Sequence, residues 1–80
     1  MKAKVFDRVA LRIDLTVQGI RIPKGSLGVV VGCYAQPEGY DVDVEIPAPE
    51  LVGDVTWKNV GLQPEQFDVV EPYSGPNPGW

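Results

Sequence analysis

Apolar residues in this chain recur at every second position, and that period confines the fold to strands. Val9, Leu11 and Ile13 alternate with Arg8, Ala10 and Arg12, and Leu15 and Val17 continue the pattern past Asp14 and Thr16. Tyr40, Val42, Val44 and Ile46 alternate with Asp41, Asp43 and Glu45. Side chains at i and i+2 share one face of a strand, so each run has one buried face and one solvated face. The stretch from Gln18 to Gly25 holds two glycines and a proline, and reads as a loop or a frayed edge that adds Ile20 and Ile22 to the core.

Leu27 to Tyr34 is apolar at both parities, which predicts a central strand. Gly28 and Gly32 within it mark a bulge, a bend or a close backbone approach. Ala35 to Gly39 is a tight turn by composition, so the flanking strands form an antiparallel hairpin. Pro47-Ala48-Pro49 ends the third strand, because proline donates nothing to a ladder. Asp54 to Val60 is the fourth strand, Leu62 to Phe67 holds one 3-10 turn, and Phe67 to Glu71 closes the set.

Eighty residues make a single domain. The expected layout is a body over 1–71 and a Pro/Gly-rich C-terminal tail over 72–80. Several short strands joined by Gly/Pro turns read as a barrel or sandwich. The length is too short for a sandwich, and 47–53 has no room for the helix that an OB-fold carries between its third and fourth strands. The prediction is an all-β, small five-stranded SH3-like barrel with one 3-10 turn before the last strand. Chains this small lean on disulfides, metals or association. Cys33 is the sole cysteine and there is no histidine, so oligomerisation is the stabiliser that remains.

Four segments in order carry a family resemblance: Phe6-Asp7-Arg8-Val9-Ala10-Leu11, Pro23-Lys24-Gly25-Ser26-Leu27-Gly28-Val29-Val30, Gly39-Tyr40-Asp41-Val42-Asp43-Val44-Glu45, and Leu62-Gln63-Pro64-Glu65-Gln66-Phe67-Asp68-Val69-Val70. Together they resemble a bacterial family of small uncharacterised SH3-like domains with the pattern D-x-V-x-L, G-x-x-G-x-V-V, Y-x-V-E-F and L-x-P-E-Q-L. The same order is more loosely similar to the SH3-like accessory protein of photosystem I and to the variable chain of ferredoxin–thioredoxin reductase. The resemblance covers residues 6–71 and departs where Ile46-Pro47 replaces an aromatic after the third-strand glutamate. It implies a fold, with Asp7, Gly25, Gly28, Pro64 and Glu65 serving strand entry, bend and turn. It implies no activity.

The formal charge of −4 argues against a nucleic-acid backbone or an anionic membrane as partner, and favours a neutral or basic protein. The cysteine usage and the lack of a long apolar run lead us to expect a cytoplasmic location. Catalysis is not expected without histidine. Cys33 shares the parity of Leu27, Val29 and Val31 and is read as packing with them. Asp41, Asp43 and Glu45 are read as a solvated face rather than a metal site, and no cofactor is expected.

The aromatics are the candidate site. Tyr34 and Tyr40 flank one hairpin turn and, with Trp57, form a candidate aromatic binding surface. The tail offers Tyr73, Pro76, Pro78 and Trp80 as a candidate contact with a second copy. The expected function is a protein-binding or assembly module, self-association included. The alternative is a small acidic inhibitor or antitoxin-like protein that masks a basic partner.

Overall fold

A computed structural model describes residues 1–47 and 55–76. Seven strands follow one another: β1 (Arg8–Leu11), β2 (Leu15–Val17), β3 (Ile20–Ile22), β4 (Leu27–Ala35), β5 (Glu38–Pro47), β6 (Val55–Leu62) and, after a 3-10 turn at Pro64–Gln66, β7 (Phe67–Glu71). Five of them form an antiparallel sheet in the order β6-β5-β4-β1-β7, and β2 and β3 form a separate pair. The chain is all-β, and β4 is central as its two-sided apolar pattern predicts. Among the described residues the sheet keeps two edges, β6 and β7, and does not close into the predicted barrel.

The first predicted strand breaks in two. Past β1, Leu11 and Arg12 give their N–H groups to the carbonyls of Ser26 and Gln66, and the chain leaves the large sheet. The segment expected to be a loop is the returning arm of a hairpin. Gln18 and Gly19 both adopt positive φ, 52° and 77°, between the paired residues Val17 and Ile20. Two left-handed residues in succession make the turn whose twist suits a two-residue hairpin. At its base the Asp14 carboxylate accepts the Lys24 N–H at 2.7 Å. The hairpin inserts Ile22 into the core and leaves Ile20 exposed.

Alternation also slips once in β4. Val30 pairs with Val42, but Gly32 pairs with Asp41, so Val31 is an extra residue. A bulge of this kind reverses the facing of everything after it. Cys33 therefore shares the buried face with Val30, opposite Tyr40. Its expected companions do not join it: Leu27 and Val31 are 40% and 42% exposed. The thiol lies 3.7 Å from the Ala3 carbonyl. Burial, and then the Asp7 charge, push it above its ordinary pKa.

One face of the large sheet supplies the core: Val9, Leu11, Val30, Val42, Val44, Val60, Leu62, Tyr40 and Phe67, joined by Ala3 and Ile22. The Tyr40 and Phe67 rings meet edge to face at 5.2 Å, a favoured aromatic geometry. The Lys2 ammonium sits 4.7 Å from the centre of the Phe67 ring. Gly28 is a tight point between β4 and β5. A Cβ there would lie 2.8 Å from the Asp43 carbonyl and from Val42 Cγ1, so β4 and β5 approach as they do only because this residue has no side chain.

Asp7 ties the segment before β1 to the segment after β7. Its carboxylate is buried and accepts N–H bonds from Lys4 at 3.0 Å and Tyr73 at 2.8 Å, with the Lys4 ammonium at 2.9 Å. Burial alone raises this carboxyl. The bonds from Tyr73 and Lys4, with the Lys4 charge, outweigh that and hold it below the ordinary carboxylate value. Phe6 just before it has a φ of 76°, a strained setting for a bulky residue. The N–H bond to the Val30 carbonyl at 2.8 Å and edge-on packing against Tyr73 at 5.3 Å hold it there.

Gly28→Ala is expected to lower stability by about 1–3 kcal/mol, read as a reduced urea midpoint. Asp7→Asn is expected to cost about 1–3 kcal/mol at neutral pH. Because the folded-state pKa is lowered, this contribution is complete above the unfolded value of about 3.9 and fades as pH falls below it. Denaturation curves of the two proteins should therefore converge in acid; a constant gap down to the lowest pH at which the protein folds would refute the assignment.

Candidate binding surface

The pairing of β5 with its neighbours sorts the aromatic and acidic residues onto two faces. Asp41, Asp43 and Glu45 stand opposite Gly61, Asn59 and Trp57 of β6, and residues directly opposite share a face. This is the outer face, away from the core. The bulge at Val31 delivers Tyr34 to the same face, where its hydroxyl donates to the Asp41 carboxylate. The Asn59 amide donates to Asp43 at 3.0 Å. The acidic residues thus form a ladder down β5, with an aromatic ring at each end.

Of the expected trio, Tyr34 and Tyr40 both line one groove, and Trp57 lies outside it. Tyr34 and Trp57 are 54% and 47% exposed, whereas Tyr40 is 1% exposed. With the two-residue turn at Gln36–Pro37, Tyr40 falls at the opposite parity to Tyr34, and its ring belongs to the core. Only its hydroxyl reaches out, accepting the Lys2 N–H at 2.8 Å and donating to the Glu38 carboxylate. Burial and then the Glu38 bond raise the Tyr40 phenol, and the same bond lowers Glu38.

Beside Tyr34 lies an open groove of ≈ 680 Å³ between the β4–β5 turn and the link from β6 to the 3-10 turn. Pro37 and Pro64 wall it, and Glu38, Asp41 and Glu65 supply its charge. No basic side chain is among its lining residues. Lys2 stands at its rim, with its N–H on the Glu38 carboxylate at 3.0 Å and its ammonium on the carbonyls of Pro64 and Phe67, and Lys58 reaches Gln18. The groove opens onto the outer face through Tyr34 and Asp41. Sequence reasoning assigned Pro64 and Glu65 to the turn alone and passed over Glu38. The available signal was three carboxylates near turn prolines, but their placement along one groove depends on the β5–β6 register.

The tail behaves differently from a free arm. Tyr73 is held by its own domain through Asp7 and Phe6, and its hydroxyl donates to the Pro76 carbonyl at 2.9 Å. Gly75 lies under the Tyr73 ring, with no space for a Cβ. Tyr73 and Pro76 are therefore engaged within the chain, while Pro78 and Trp80 lie outside the described residues. Among the described residues, no group of three metal-ligating side chains converges, and no helix is long and apolar enough to cross a membrane.

Compared with family models, with curated proteins and with solved structures, the chain matches none.

The Tyr34 phenol is raised by its bond to Asp41 and by that carboxylate's charge. Asp41→Asn should bring the Tyr34 ionisation down toward the usual value of about 10, followed by ultraviolet titration. An unchanged titration would show that the two side chains do not meet in solution.

Proposed function

We propose that this chain is a non-catalytic, SH3-like protein-binding module that takes a lysine- or arginine-bearing segment of another protein on its outer face. The carrying observation is the run of Asp41, Asp43 and Glu45 along one face of β5, edged by Tyr34 and Trp57, beside a groove that Glu38, Asp41 and Glu65 line. Opposed charge steers association and selects partners, and exposed aromatic faces attract cations. The SH3-like reading draws support from the element order. A hairpin lies between β1 and β4, β4-β5-β6 form a meander, and a 3-10 turn precedes a last strand that returns beside β1.

The same pattern supports a second reading, an inhibitor that masks a basic protein. The acidic ladder lies on a regular sheet face rather than in a deep cleft, which suits a folded basic surface as well as a peptide.

A blocked arginine-rich peptide is expected to bind, and a glutamate-rich peptide of equal length is not. Affinity should fall about tenfold between roughly 0.05 and 0.3 M salt. Joint Asp41→Lys and Asp43→Lys substitution should abolish binding, measured by calorimetry. Binding that survives this reversal would overturn the proposal. Masking a folded basic protein while ignoring peptides would favour the inhibitor.

A further inference from the structure

The outer face ends at a strand edge that nothing in the described residues covers. β6 spans Val55–Leu62 and, among the described residues, pairs with β5 alone. In an antiparallel ladder alternate residues turn their N–H and C=O groups away from the neighbour, so about four residues of β6 offer both groups outward. None of these has a backbone partner among the described residues. The opposite edge is less open: β7 has 5 residues, and the Lys2 ammonium occupies the Phe67 carbonyl.

We propose that the cationic segment binds by adding to β6 as a further strand, with its basic side chains on the outer face and uncharged residues between them. This rests on the cationic-partner reading above and specifies its geometry. Strand addition takes affinity from main-chain bonds and selectivity from alternate side chains. Gly61 stands directly opposite Asp41, and a Cβ there would meet nothing within 4 Å. No β6 side chain covers this stretch of the face, and the Asp41 carboxylate itself leans over Gly32 of β4 to accept from Tyr34. An added strand lies two strand spacings, about 10 Å, from β5, a span that an extended arginine covers jointly with Asp43, whose carboxylate leans toward β6 to accept from Asn59. Further along, Trp57 opposite Glu45 offers a ring face to a second cation.

Lys58 sets the other half of the rule. It is opposite Val44, on the core side of β6, where its ammonium bonds Gln18. A cation on that side of an incoming strand is repelled, which calls for uncharged residues at those positions. Two copies joined through β6 place two Lys58 ammonium groups on one side of the joint sheet. They also bring two Asp41–Glu45 ladders onto the other side, and this repulsion of like charges on both faces selects a different, cationic chain over a second copy.

The probe is a blocked octapeptide of alternating arginine and threonine, matched to the 8 residues of β6. Two further versions carry backbone N-methyl groups on the threonines or on the arginines. An added strand donates from alternate residues only, so one methylated version should lose about tenfold or more in affinity and the other should be nearly unaffected. Amide exchange should slow at alternate β6 residues when the unmodified peptide binds. Equal binding of both methylated versions overturns strand addition and leaves the cationic-partner reading standing. Failure of the unmodified peptide to bind at low salt overturns both. A dimeric mass by light scattering, with β6 amides already protected in the free protein, assigns the edge to a second copy and overturns the proposal.

Discussion

The buried carboxylate of Asp7 joins three parts of the chain that are far apart in sequence. It accepts from Lys4 and Tyr73 through its side chain, while its own carbonyl accepts the Val30 N–H at 3.0 Å. Phe6, held at positive φ, bonds the Val30 carbonyl from the other side. Val30 is thereby pinned against the start of β1, directly before the residue that bulges. A buried charge is tolerated only when its hydrogen-bonding capacity is met, and here the bonds that satisfy it also bring Tyr73 back onto the sheet.

From that pin the rest of the surface follows. β4 carries one residue more than β5 between Val30 and Gly32. The surplus at Val31 sends Cys33 inward beside Tyr40 and Tyr34 outward beside Asp41. Without the bulge, the parity of Leu27 and Val29 would continue through Val31 to Cys33, and Tyr34 would face the core. The aromatic end of the acidic ladder is thus a consequence of backbone pairing. Gly28 adds the second constraint, since only a residue without Cβ lets β4 lie this close to the Asp43 carbonyl.

Much of this was legible in the chain itself. The two-residue period located the large-sheet strands, the both-parity run identified the central one, and Leu62 to Phe67 announced its single turn of 3-10 helix. What failed did so for local backbone reasons. Gln18 at positive φ gives no compositional warning, so the β2–β3 hairpin looked like a loop and β1 looked too long. Tyr34 and Tyr40 are near in sequence, yet the Gln36–Pro37 turn and the parity beyond it separate them by face. Tyr73 looked like part of a free tail because its anchor, Asp7, lies 66 residues away.

The amino-acid sequence alone determined the strand character, the core-facing set of β5, the acidic balance and the absence of histidine chemistry, because these depend on side-chain type and short-range period. Tertiary structure decided which aromatics are exposed, which edge is open and where the carboxylates gather. Those outcomes depend on register, and a single inserted residue or a left-handed turn resets register without changing composition.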